Sequence, residues 1–148
     1  MLDRVTDVRN WGAIARSALA FGVYILITPT KHSAEINAAT IKASAGALFQ
    51  QYVVRVHNLV ALAQELKEMG YHILCADKNA ATTELSELSP PPKWCLVVGS
   101  EHRGIRKELL NLADEIFYID QRDAIDSLNV SVATGIALYR LYKTISQR

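Results

Sequence analysis

The sequence predicts an α/β fold with a mostly parallel six-stranded sheet and helices on both of its faces. Two observations carry this expectation. Six short apolar or β-branched runs alternate with longer stretches of helical character along the 148 residues, the pattern of parallel strands joined by crossover helices. Half the residues are hydrophobic, 21% are charged and mean hydropathy is +0.09. That is too apolar for a disordered chain and too evenly spread for a membrane span.

The expected strands are residues 2–5, 23–28, 52–56, 71–76, 94–98 and 116–119. After the first, a helix of small residues (Gly12, Ala13, Ala15, Ala20) follows, with Asn10 available as its cap. Between the third and fourth, a helix starts at Asn58, runs apolar through Leu59, Leu62, Ala63 and Leu66, and stops at Gly70, which makes a βαβ unit. Ser89-Pro90-Pro91-Pro92-Lys93 is a loop delivering the chain into the strand at Trp94. The last helix, about 129–145, is apolar on several faces, so it is covered on several sides by its own chain or by a partner subunit. Gly135 within it suggests a closely passing backbone.

Sixteen basic and fifteen acidic side chains give a net charge of +1, so a nucleic-acid site has to be local rather than a property of the whole surface. Cys75 and Cys95 lie within apolar runs and read as buried free thiols, not as a disulfide or a metal site. The N-terminus has no secretory pattern, and a cytoplasmic location is the expectation. One domain spanning 1–148 is expected, with no membrane contact and no metal.

Three polar clusters interrupt the apolar pattern. The first runs from Asp7 to Arg16, with Asn10 and Gly12 inside it. The second, Gly99-Ser100-Glu101-His102-Arg103-Gly104, follows the strand that ends at Val98. Glycines there let backbone approach a ligand at the edge where open α/β sheets bind them. The third, Asp126-Ser127-Leu128-Asn129-Val130-Ser131, opens the last helix, where Ser127 or Asn129 suffices as a cap.

In this order and spacing the clusters resemble the three motifs of the SpoU (TrmH-type) family of RNA ribose 2′-O-methyltransferases. The matches are Asp3-x-Val5-x-Asp7-x-x-Asn10-x-Gly12-x-x-x-Arg16, Leu96-Val97-Val98-Gly99-Ser100-Glu101-x-x-Gly104-Ile105, and Ser127-Leu128-Asn129-Val130-Ser131-Val132-Ala133-x-Gly135-Ile136-Ala137-Leu138. The run from Lys42 to Ala47 also fits.

The resemblance implies a SPOUT fold with a C-terminal deep trefoil knot, against the general rarity of knots, and methyl transfer from S-adenosylmethionine to a ribose 2′-hydroxyl. It implies cofactor contacts from Gly99, Ile119 and Leu128, and an active site of Asn10, Arg16, Glu101, Ser127 and Asn129. Arg16 orients the hydroxyl or the adjacent phosphate and is the family's proposed base, although bringing a guanidinium to neutrality costs about 7 kcal/mol. Glu101 is expected to steer Arg16 or to take up a proton. Arg4, Arg9, Arg16, His102, Arg103, Arg106 and Lys107 are candidate phosphate contacts, with solvated charges on helix ends as the alternative. The implied partners are an RNA substrate, ribosomal ahead of transfer RNA, and a second copy of the chain in a homodimer; no DNA is expected. Many members of the family carry an additional N-terminal segment that captures the RNA, whereas these residues open on the first strand, so recognition is expected either from the dimer surface or from an upstream part outside this sequence. A knotted RNA-binding module without transfer activity and an unknotted nucleotide-binding α/β domain are the alternatives.

Overall fold

The computed structural model describes residues 1–80, 83–89, 91–122 and 126–146, the last two by backbone alone. The chain runs β1 (Leu2–Asp3), α1 (Val8–Ala20), β2 (Ile25–Pro29), α2 (Ala38–Ala43), β3 (Tyr52–Val56), α3 (Leu59–Glu68), β4 (His72–Ala76), β5 (Thr83–Glu84), β6 (Trp94–Gly99), α4 (Lys107–Leu112), β7 (Glu115–Tyr118) and α5 (Val130–Ser146). Five strands pair in the order β1-β6-β4-β7-β5, all parallel, while β2 and β3 form a separate parallel pair.

The α/β class and mostly parallel pairing match the expectation, but the single six-stranded sheet does not. The additional strand, β5, pairs through only two residues at the sheet edge, too short for any periodicity to announce it. The first strand is also shorter than residues 2–5, because Arg4 adopts a left-handed φ of 60° and turns the chain out of the ladder after Asp3. β2 and β3 share five registered residue pairs with each other and none with β1.

The strands alternate between two apolar layers, and this places helices on both faces. Leu74 of β4 and Leu96 and Val98 of β6 face a core built with Trp11 and Ile14 of α1 and Leu138 and Leu141 of α5. Ile73, Cys75, Cys95 and Val97 point the other way, toward Leu59 and Ala63 of α3 and Leu109 of α4. Both cysteines are free and buried, and burial pushes the Cys75 thiol up to about 12.

Local signals set the helix ends. Asn58 caps α3, its Oδ1 accepting from the N–H groups of Val60 and Ala61 at 3.0 and 3.2 Å. Gly70, at φ 83°, ends that segment. The cap of α1 is Asp7, not Asn10: its Oδ1 accepts from Arg9 and Asn10 at 2.8 and 3.1 Å. Asn10 is thereby freed for another task. Gly12 lets α1 press against α2, since a Cβ there would run into Ala43 and the Thr40 carbonyl. Gly135 instead meets a side chain, Ser17 Oγ, at an ordinary contact distance of 3.5 Å, so no backbone passes close to it.

On α5, Ala137, Leu138 and Leu141 are buried while Val132, Ile136 and Tyr139 are exposed. Tyr139 and Tyr142 both pack on Phe21, with ring centroids 5.8 and 5.9 Å away.

Candidate active site

The three polar clusters meet at the C-terminal edge of the parallel sheet, where β4, β6 and β7 all end. There Asn129, just before α5, donates from Nδ2 to Asn10 Oδ1 of α1 at 3.0 Å and to Glu101 Oε1 at 2.6 Å. One amide thus ties together residues 119 and 28 positions away in sequence. Its Oδ1 caps α5 by accepting from Ser131 N and Val132 N at 3.0 and 3.4 Å. Glu101 Oε1 also lies 3.4 Å from the N–H of Val130, in the first turn of that helix, where a carboxylate is favoured.

A cavity of about 570 Å³ opens beside this knot of polar groups. Gly99, Ile119 and Leu128 all line it, together with Glu101 and Ser127, and Val98, Phe117 and Ala133 supply apolar surface. The size and mixed lining suit a nucleoside-sized ligand. Asp77, at the end of β4, lines it as well; its Oδ1 accepts from Asn79 and Ala80 at 2.9 and 3.1 Å, which fixes the turn.

Gly99 acts differently from the sequence expectation. A Cβ on it would strike the carbonyl group of Gly104 and the nitrogen of Ile105. Gly99 therefore permits the loop to fold back on itself beside the cavity that it lines. The return is held by Gly104 N donating to Ser100 O at 2.9 Å, and Gly104 sits at φ 59°.

Below the loop is an ion network that the sequence did not reveal. Asp3 is fully buried and accepts from Arg106 three times: from the backbone N and from Nε at 2.9 Å each, and from Nη2 at 2.5 Å. Arg4 Nη2 lies 3.5 Å from Asp3 and 3.3 Å from the Gly104 carbonyl. Asp3 holds the Arg106 guanidinium above its ordinary range. Arg4 and Arg106 are thus committed to the scaffold and not free for phosphate, and Arg9 pairs with Asp7 at 3.1 Å. An acid inside the apolar opening Met1-Leu2-Asp3 is the only sequence signal of this network.

Arg16 stands apart. It lies on the solvent-facing stripe of α1 with Arg9 and Ala20, and among the described residues it has no hydrogen bond or ion pair. The expected steering of Arg16 by Glu101 is not seen among the described residues of one chain: Glu101 Oε1 is bonded to Asn129, and Arg16 has no partner there. Ser127 is exposed at the cavity.

The model of the SpoU rRNA Methylase family matches residues 1–139. The chain is 39% identical over 139 residues to the 23S rRNA (guanosine-2′-O-)-methyltransferase RlmB of Salmonella typhi, covering 94% of this chain and 57% of that protein. It is 36% identical over 140 residues to an uncharacterized tRNA/rRNA methyltransferase of Archaeoglobus fulgidus, covering 95% and 62%. The chain thus spans about three fifths of the length of these relatives. Among solved structures, the A. aeolicus TrmH/SpoU tRNA modifying enzyme superposes with a TM-score of 0.86 at 30% identity, over 99% of this chain and 74% of that one. The AdoMet-bound rRNA methyltransferase from Sinorhizobium meliloti gives 0.88 at 26% identity, over 96% and 54%. With three motifs converging on one cavity and a family match over nearly its whole length, the chain belongs to the SpoU rRNA methylase family.

Proposed function

We propose that this chain binds S-adenosylmethionine in the cavity at the C-terminal sheet edge and methylates a ribose 2′-hydroxyl of structured RNA, ribosomal RNA ahead of transfer RNA. Residues 1–148 are the catalytic domain in this reading. The observation that carries it is the Asn10–Asn129–Glu101 junction at the mouth of a 570 Å³ cavity. The bound sulfonium supplies an electrophilic methyl group. The chain's own residues then align and deprotonate the hydroxyl.

Main-chain groups of Gly99, Ile119 and Leu128 read the adenine edge while the apolar lining sandwiches the ring. Asn129 fixes Glu101 through one carboxylate oxygen, and the other has no bond among the described residues, so it faces the reaction. Ser127 lies at the cavity for the ribose. Arg16 orients the 2′-hydroxyl or its phosphate with a planar fork of donors.

Arg16 is exposed and makes no contact with its own Glu101 among the described residues, and Val132, Ile136 and Tyr139 leave an apolar stripe exposed on α5. Both features support a two-fold homodimer in which Arg16 of each copy completes the site of the other. The return of α5 from the motif-three loop to pack on α1, over the motif-two loop, supports a C-terminal deep trefoil knot. Two buried free thiols suit a reducing, cytoplasmic setting.

Calorimetry with S-adenosylmethionine, followed by transfer of labelled methyl to bulk ribosomal and transfer RNA, tests the reading. The expected result is binding, with label on ribose 2′-oxygens. Binding without transfer to either RNA overturns the catalytic assignment, and no binding overturns the cofactor site.

A further inference from the structure

Charge is divided unevenly along the chain. Residues 8–64, which run from α1 into α3, carry five Lys and Arg side chains against one acid, Glu35, while the remaining residues carry eleven against fourteen. The net charge of +1 therefore conceals a basic segment. Of its five cations, Arg9 pairs with Asp7, and Arg55 donates from Nη2 to the Ala34 carbonyl at 2.8 Å. Arg16, Lys31 and Lys42 are exposed and have no hydrogen bond or ion pair among the described residues.

Lys31 and His32 form the tip of loop 30–36, which four bonds hold from behind. Thr30 N donates to Val56 O and Ala34 N to Val5 O, both at 2.9 Å. The hydroxyls of Thr28 and Ser33 bond each other across the turn, and Arg55 supplies the contact to Ala34. His32 takes a left-handed φ of 58°, a conformation that disfavours any side chain. Thr30 Oγ1 lies 3.1 Å from His57 Nδ1, so the end of β3 brings a second imidazole beside the loop. Lys31, His32, Arg55 and His57 are all exposed.

The Ala34–Val5 bond sets the carboxyl ends of β1 and β2 side by side, and Asp7 and Asn10 follow within the next turn of chain. Asn10 in turn bonds Asn129 at the mouth of the 570 Å³ cavity. The basic loop therefore lies at the same sheet edge as the proposed site, on its α1 side, although none of its residues lines the cavity. The opposite, N-terminal edge has a different character. There an apolar cavity of about 660 Å³ fills the gap between the five-stranded sheet and the β2–β3 pair, and Lys93 is the one charged side chain of its lining among the described residues.

We infer that Lys31, His32 and His57 form a contact surface for the RNA phosphates that flank the ribose entering the cavity. The inference rests on the RNA substrate proposed above. Exposed cations without protein partners exchange their counterions for phosphates, and a loop already fixed by four bonds loses little entropy on binding. The groups sit at the surface on two adjacent strand ends, which suits an extended polyanion better than one small anion. Glycine would relax the left-handed turn at position 32, so the histidine there is accounted for by a side chain that serves binding and not the fold.

The test follows the anisotropy of fluorescein-labelled fragments of bulk ribosomal RNA between about 50 and 200 mM salt. It compares the 148-residue chain with Lys31→Ala, His32→Gly and His57→Asn, and with Lys93→Ala as the same loss of charge at the opposite edge. Lys31→Ala is expected to weaken RNA binding about fivefold and to lower the salt slope by about 0.7 to 1, the share of one phosphate. His32→Gly and His57→Asn should each weaken it about threefold. In His32→Gly the thermal midpoint should hold or rise, because glycine relieves the turn. Lys93→Ala should bind RNA as before, and all four variants should keep their affinity for S-adenosylmethionine. Unchanged RNA affinity in Lys31→Ala or His32→Gly, an equal loss in Lys93→Ala, or a lowered midpoint in His32→Gly would each overturn the inference while leaving the RNA substrate in place. An unaltered chain that binds no RNA overturns the substrate reading and this surface together, with cofactor binding judged separately on the same samples.

Discussion

The two cavities lie at opposite ends of the same strands and differ little in size, about 570 against 660 Å³, yet they are built in opposite ways. At the C-terminal edge, loops supply short polar side chains and turned-back main chain, and Asn10, Glu101 and Asn129 are joined across long separations in sequence. At the N-terminal edge the walls are strand backbone and large apolar side chains, with few polar groups to orient a ligand. The difference teaches that volume alone does not make a reactive site: fixed donors and acceptors do, and only the C-terminal edge gathers them.

Removing the scaffold of the polar edge should have the largest effect. Arg106→Met leaves Asp3 buried with only Arg4 nearby, and the expected loss is about 3 kcal/mol of unfolding free energy by denaturant titration; a loss under about 1 kcal/mol would mean that Asp3 is neutral or solvated. Gly99→Val comes next. Because the new side chain would collide with the loop backbone, stability should fall by about 2 to 3 kcal/mol together with cofactor affinity. Loss of affinity at unchanged stability would instead place Gly99 against the ligand.

Arg16→Ala should lower methyl transfer by about a hundredfold, with thermal midpoint and cofactor affinity unchanged, since the side chain is exposed and unbonded. Mixing this variant with an inactive Glu101→Gln chain should restore part of the activity if sites are shared between copies. A smaller change follows for Asn129→Ala, about 1 to 2 kcal/mol from the lost α5 cap, with a disproportionate drop in turnover because Glu101 loses its anchor.

Acid should act least, and away from both cavities. Burial raises the Asp114 carboxyl, but the Lys67 ammonium at 2.7 Å and the Ile73 N–H at 2.8 Å outweigh it and hold it below its ordinary value. A lowered folded-state value stabilises the fold above the unfolded value near 3.8, and the contribution disappears as pH falls through the folded value. Asp114→Asn should therefore flatten the acid limb of the stability curve below about pH 4. An unchanged limb would show that Lys67 contributes nothing there.

Much of the polar edge was legible in the sequence because its residues are grouped in three short runs. Asn10, Glu101 and Asn129 could be selected before any contact was known, and the α3 boundaries followed from Asn58 and Gly70. The cap of α1 was misassigned because Asp7 and Asn10 are both competent caps, and only the backbone, extended at Asp7 with ψ 122° and helical from Val8, distinguishes them. The Asp3–Arg106 network was illegible since its members are 103 positions apart, and the acid in the apolar opening, its one local signal, does not name a partner. Two-residue β5 and the gap beside β1 were illegible for a related reason: both depend on register between distant strands, which single-sequence periodicity does not encode.

The ladder between β1 and β6 also governs how the protein is made. Met1 finds its hydrogen-bond partner Leu96 across 95 positions, so on a ribosome the first strand stays unpaired until β6 has emerged. The parallel pair β2–β3, complete by Val56, and the α3–β4 segment can assemble during that wait. Asp3 remains hydrated throughout and enters the interior only when Arg106 arrives with the loop. Sealing of the buried charge and completion of the polar edge are therefore one late event in synthesis, and a nascent chain halted before β6 has neither.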